Sequence, residues 1–196
     1  MGKFFDFNDA PQQSGDLIPA KTFAKVCVTI KPGGKGDGGW ITQSNSGFEY
    51  LALELTIMST PMAKRKIFQN AGVGGTTEGH NKAAEITRSF LRGMLESANG
   101  IEPKDESDKA RRARCITSWA DLDELIFAVE IGIDKGKDGY EDKNKITRAI
   151  TPDHKFYQRV MNGETILPGT NNKNTSSTSA FNTSVPTTTA VPEWAR

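Results

Sequence analysis

The fold is decided by the stretch Phe48-Glu49-Tyr50-Leu51-Ala52-Leu53-Glu54-Leu55-Thr56-Ile57-Met58. Leucine or isoleucine occupies every second position from Leu51 to Ile57, which is the period of a β-strand with one buried face. The alternate face is aromatic at its start, with Phe48 and Tyr50, and polar further along. The stretch therefore predicts a strand with an aliphatic inward face and an aromatic and polar outward face.

Four more stretches on either side have the composition or alternation of strands, and one has the period of a helix. The predicted strands are Thr22–Ile30, Lys64–Phe68, Leu125–Ile133 and Asn144–Ile150. The helix is predicted from His80 to Ala98, with Asn99-Gly100 as its C-terminal cap. Shorter helices are expected over Asp105–Arg114 and after Ser118, an N-cap residue. Three strands in succession before the first helix indicate an antiparallel meander.

Five short strands with one main helix between the third and fourth predict a mainly β fold, an oligonucleotide-binding (OB) barrel. A β-sandwich normally needs about seven strands and fits less well. The predicted organisation is an N-terminal arm at 1–20, an OB-fold-like domain at 21–160 and a tail at 161–196. The tail is rich in Thr, Ser and Asn. Such a tract buries too little apolar surface to offset its ordering entropy, so it is predicted to be disordered.

Composition excludes several classes of protein. The 196 residues carry 25 Lys and Arg against 24 Asp and Glu, a net charge of +1, so binding through bulk positive charge is excluded. The sequence contains no signal-peptide pattern and no apolar run of membrane-spanning length, which predicts a cytoplasmic protein without membrane contact. Cys27 and Cys115 lack metal-ligand spacing and any disulfide framework, so no metal site is expected.

The candidate catalytic features are weak. His80 and His154 show no spacing that would join them to the cysteines as metal ligands. The loop Gly33–Gly39 lacks the Lys-Ser/Thr ending and the following helix of a phosphate-binding loop, so it is interpreted as a hairpin connection. A cluster of carboxylates admits a metal-dependent nuclease, although on a short helix it fits a solvated surface as well. This cluster comprises Asp121, Asp123 and Glu124.

Nucleic-acid binding is the best supported chemistry, because rings stack on unpaired bases while cations follow the phosphates. The binding face of an OB barrel lies on its second and third strands and on two loops, which here correspond to Gly33–Gly39 and Lys135–Tyr140. The candidate stacking residues are Trp40, Tyr50, Phe68 and Tyr140. The candidate phosphate-binding residues are Lys35, Arg65, Lys66, Lys135, Lys137, Lys143 and Lys145. Phe48 and Phe68 fit a core position equally well, and Trp119 fits the core better.

Three segments resemble a family of bacteriophage single-stranded DNA-binding proteins: Leu17–Val26, Arg65–Asn70 and Gly132–Ile146. The resemblance covers most of residues 17–150 and implies an OB-type fold, no cofactor, and a role in phage DNA replication or recombination in the host cytoplasm. The tail is similar to those of bacterial single-strand binders, but it ends in Trp194-Ala195-Arg196 where those tails are acidic. Trp194 is the candidate contact for protein partners.

The sequence therefore predicts a non-enzymatic protein that binds single-stranded DNA without sequence preference. The alternative is a recombination-accessory module that recruits replication or recombination proteins through its C-terminal tail. A homo-oligomer is compatible with either function.

Overall fold

The computed structural model describes residues 15–137 and 139–169. Within these ranges the chain forms six strands and three α-helices. The strands are β1 (Thr22–Lys31), β2 (Thr42–Gln43), β3 (Glu49–Ile57), β4 (Lys66–Gly74), β5 (Ile126–Asp134) and β6 (Lys143–Ala149). The helices are α1 (Glu78–Asn99), α2 (Asp108–Ala113) and α3 (Tyr157–Met161), and short 3-10 turns span Asp37–Gly39 and Trp119–Leu122.

All six strands join one antiparallel sheet with β1 at its centre. One side of β1 pairs with β3, where Val28 lies opposite Leu55, and the other side pairs with β5, where Ala24 lies opposite Val129. β4 extends the sheet beyond β3, β6 extends it beyond β5, and the two-residue β2 also pairs with β3. This confirms the predicted mainly β architecture with one main helix. The helix, α1, lies between β4 and β5, which correspond to the predicted third and fourth strands.

The core lies under one face of this sheet and follows the alternation of the sequence. Leu51 through Ile57 are buried at every second position on β3, and Val26 and Val28 do the same on β1. α1 packs the side chain of Met94 into this core. The helix begins after Thr77, whose hydroxyl accepts the backbone N–H of His80 at 3.2 Å. It ends at Gly100, whose φ of 65° is the left-handed conformation that glycine favours.

The sheet does not close into the predicted barrel. β4 and β6 approach each other, but no ladder between these strands is found within the described part of the chain. Instead, the side-chain oxygen of Gln69 accepts the backbone N–H of Ile146 at 3.0 Å. A side chain rather than a backbone carbonyl takes this donor, so the two strands are joined here without a backbone ladder. The result is an open edge between β4 and β6.

Packed structure extends beyond both ends of the predicted domain of residues 21–160. Ile18 is buried, and its backbone exchanges two hydrogen bonds of 2.8 Å with the side chain of Asn144 on β6. At the other end, Ile166 is buried and pairs its backbone with Phe23. The sequence did not predict α3, since five residues are too few to show a helical period. The tail predicted to be disordered lies outside the described residues from position 170 onward.

No helix in residues 15–137 and 139–169 combines the length and the apolar character required to cross a lipid bilayer.

Candidate nucleic-acid interface

Phe68 is the most conspicuous apolar side chain on the outward face of the sheet. On β4 the neighbouring Ile67 points into the core, so the strand period turns Phe68 outward, where 65% of its surface is exposed. Its cross-strand neighbour on β3 is Glu54, and Asn70 follows it on the same face. The alternative of a core position for Phe68 is therefore wrong.

A groove starts beside this ring at the open edge of the sheet, and a second groove adjoins the first. The edge groove runs between β4 and β6 and has a volume of about 510 Å³. The turn groove lies under the connection from β5 to β6 and has a similar volume of about 510 Å³. Both share Asp134 and Lys143. The edge groove is lined by Phe68, Gln69, Asn70, Asp134, Lys143, Asn144, Lys145 and Ile146, and the turn groove by Asp134, Lys135, Gly136, Lys137, Tyr140, Glu141 and Lys143.

The β5–β6 connection is held in shape by Asp142. Its carboxylate accepts the backbone N–H of Gly136 at 3.0 Å and the ammonium of Lys135 at 2.5 Å. These two hydrogen bonds lower the pKa of Asp142 below its usual range. The turn also requires glycine at 136, because a Cβ there would meet the carbonyl oxygen of Tyr140 at 1.7 Å. The ring of Tyr140 is left 82% exposed at the edge of the turn groove.

The grooves carry less free positive charge than their four lysines suggest. Lys135 is paired with Asp142 at 2.5 Å, and Lys145 is paired with Asp134 at 3.2 Å. Lys137 and Lys143 have no carboxylate within ion-pair distance among the described residues. These two are the cations that a phosphate could reach without displacing an existing partner.

A second charged group lies beside Phe68 on the same face. Glu54 stands between two lysines, at 3.2 Å from Lys31 on β1 and 2.6 Å from Lys66 on β4. Their hydrogen bonds, that of Lys66 first, lower the pKa of the carboxyl of Glu54. The side chain of Glu54 is only 10% exposed, so Lys66 is near the predicted face but already engaged with a carboxylate.

The remaining predicted residues that the structure describes line neither groove. Trp40 is half-buried against the main core, with its indole close to Gly38. Tyr50 is half-buried as well, and it stacks on Phe48 with ring centroids 5.5 Å apart. Lys35 is paired with Glu49 at 2.5 Å, and the guanidinium of Arg65 donates to the backbone oxygen of Asp16. Trp119 is half-buried against the core, as expected. Trp194 lies outside the described residues.

Sequence reasoning missed the amide side chains that line the edge groove, Gln69 and Asn70, and it gave no role to His154. His154 in fact packs against Phe23 and Phe156. An alternating pattern continues past Phe68 into Ala71, and following it would have placed Asn70 on the same face as Phe68. The contact of Phe23 with His154 joins residues at opposite ends of the domain, so no local pattern signals it.

Two of the three carboxylates considered for a nuclease accept hydrogen bonds from backbone N–H groups. Asp121 accepts the N–H of Thr117 at 2.7 Å and that of Ser118 at 3.1 Å, and these bonds lower its pKa. Asp123 accepts the N–H of Ile30 on β1 at 2.7 Å. No group of three residues of metal-ligating type is found among residues 15–137 and 139–169.

No protein-family model matches the chain, and no curated protein matches it significantly.

Proposed function

We propose that the chain binds single-stranded DNA without reading its sequence, along the edge groove and the turn groove. The observation that carries the proposal is the ring of Phe68, 65% exposed on the sheet face at the mouth of a groove that also presents Lys143. Exposure of an apolar ring to water is unfavourable, and such a ring contributes little to the core. It is suited to a flat apolar partner such as an unpaired base, which stacks with roughly 1–3 kcal/mol whatever its identity.

The architecture supports the same proposal. If the short β2 is set aside, the strands from β1 to β6 number five, and the main helix lies between the third and the fourth. We infer a partly open OB barrel, in which the second and third strands and the loop between strands four and five form the binding face. In this chain those parts are β3, β4 and the turn from 135 to 142. The resemblance of Gly132–Ile146 to phage single-strand binders favours a role in phage DNA replication or recombination.

Electrostatics should contribute only moderately to affinity. For single strands the logarithm of the affinity falls with the logarithm of salt with a slope of about −0.7 per phosphate neutralised. Lys137 and Lys143 act without competition, whereas phosphates must displace carboxylates from Lys135 and Lys145. A slope between about −1.4 and −2.8 follows for two to four contacts.

The test is a fluorescence titration of labelled oligo-dT, duplex DNA and RNA of equal length at two salt concentrations. Single-stranded DNA should bind more tightly than duplex. The double variant Lys137→Ala/Lys143→Ala should weaken binding and flatten the salt dependence. A matched control is Lys82→Ala/Lys109→Ala, which removes the same charge from exposed positions on α1 and α2. Equal affinity for single strands and duplex would overturn the proposal.

A further inference from the structure

A pocket distinct from the two grooves lies on the sheet face at the far end of β6. It has a volume of about 540 Å³, within the range of sites that hold small organic ligands. Three rings shape it: the centroids of Phe23, His154 and Phe156 are 5.0 to 5.6 Å apart, with interplanar angles of 35° to 62°. Because the rings are tilted, they form walls of the pocket rather than one closed stack.

Cations surround these rings. The ammonium of Lys155 lies 4.7 Å from the centroid of Phe156, and Lys21 lines the same pocket. Neither lysine has a carboxylate within ion-pair distance in the described part of the chain. Two further cations are paired, Arg148 with Glu130 at 2.8 Å and Arg159 with Glu164 at 2.8 Å. The pocket therefore offers aromatic walls with an excess of positive charge, which suits an anion that carries a flat ring.

A row of cations connects this pocket to the edge groove. Lys143 and Lys145 point outward from β6, and Arg148 follows them after an irregularity in the β5–β6 register. Arg148 lies opposite Glu130, which in turn lies opposite Phe23 across β5 and β1. Three residues of a strand span about 10 Å, so a chain of phosphates that leaves the edge groove beside Lys145 reaches Arg148, which lines the pocket.

We propose that the pocket of Phe23, His154 and Phe156 is a nucleotide subsite, which takes one base and its phosphate from a single strand that extends beyond the edge groove. This inference rests on the proposed function. It extends the proposed DNA-binding surface to the segment that follows β6. The base would take the place that the ammonium of Lys155 now holds over the ring of Phe156, and Lys155 and Lys21 would then contact its phosphate.

The test compares Phe156→Leu with the wild type over a series of oligo-dT lengths. Leucine keeps an apolar side chain in the cluster but removes the ring face. The affinity of the variant for long oligonucleotides should fall about 5- to 150-fold, as expected for one stacked base. Its affinity for the shortest oligonucleotide that still binds should equal that of the wild type. Phe156→Tyr should restore the long-strand affinity, and Phe90→Leu, a half-buried ring on α1, should leave both lengths unchanged.

Each outcome separates the two proposals. If neither length binds to the wild type, the proposed function fails. If short strands bind but Phe156→Leu leaves long strands unaffected, or weakens both lengths equally, the subsite is overturned while the grooves stand. Lys155→Ala, at an exposed position, provides the same comparison without disturbing the packed rings and should also weaken only long strands. Competition by free dTMP for the short oligonucleotide alone would contradict the assignment, since it would place the mononucleotide in the grooves.

Discussion

Replacement of Phe68 by alanine isolates the contribution of one exposed ring to binding. If Phe68 stacks on a base, Phe68→Ala should cost roughly 1–3 kcal/mol of binding free energy, or about 5- to 150-fold in Kd. Folding stability should change less than for a core phenylalanine, whose loss typically costs about 3–5 kcal/mol. With 65% of its surface exposed, Phe68 has about a third of that burial to lose, which amounts to roughly 1–2 kcal/mol.

The control for this variant is Ile86→Ala. Ile86 lies on α1 with 67% of its surface exposed, nearly the same fraction as Phe68, and it lines neither groove. It should lower stability slightly and leave binding unchanged. Phe68→Trp, which keeps a ring face, should bind at least as tightly as the wild type.

Fluorescence anisotropy with a labelled dT oligomer at low salt measures Kd, and thermal unfolding of each variant shows that the fold is intact. Wild-type affinity in Phe68→Ala would refute the stacking role. An equal loss in Ile86→Ala would also refute it, because the effect would then be a general consequence of removing an exposed apolar side chain.

Three further predictions concern charge and backbone. Glu54→Gln should raise oligo-dT affinity several-fold at pH 7, since it releases two lysines beside the stacking ring. Because the pKa of Glu54 is lowered, its carboxylate contributes its full stabilisation above the unfolded pKa of about 4.3. That contribution is lost as the pH falls through the folded pKa. In urea unfolding, Glu54→Gln should therefore lose less stability than the wild type as the pH is lowered. Gly136→Ala should destabilise the protein by about 1–3 kcal/mol in thermal unfolding and weaken oligo-dT binding, because its Cβ would clash with a carbonyl across the turn. The control Gly79→Ala on α1 should be neutral or stabilising. Wild-type stability of Gly136→Ala would contradict the turn geometry. Glu96→Ala should lower the free energy of unfolding in urea by about 2–4 kcal/mol without affecting binding, because the Glu96 side chain is only 4% exposed and bridges two arginines. The control Glu106→Ala removes an exposed ion pair and should lower the free energy of unfolding by under about 1 kcal/mol.

The strands and the main helix could be predicted because their signals are local. Leucine at every second position of β3 specifies one buried face wherever the strand lies, and the capping residues Thr77 and Gly100 are near neighbours of α1 in sequence. β2 and α3 escaped prediction because two and five residues are too short to display a period. The OB-type barrel was expected from the order of five strands and one helix, but closure of a sheet depends on how two distant strands meet.

The candidate site depended far more on tertiary structure. In sequence, Phe68 fits either face of β4, and only the pairing of Leu55 with Ile67 decides that it points outward. Likewise, the lysines are visible in sequence but their partners are not: Glu54 meets Lys31 and Lys66 across three strands.

By itself, the sequence determined which segments become the five longer strands, which face of β3 is apolar, and how little net charge the protein carries. These are properties of residues and of their immediate neighbours. Only the tertiary structure decided that the sheet stays open beside Gln69, that Trp40 packs against the core while Tyr140 is exposed, and that Phe23 and Phe156 share a pocket. These features arise from register and from contacts between segments far apart in the chain, and no local pattern encodes them.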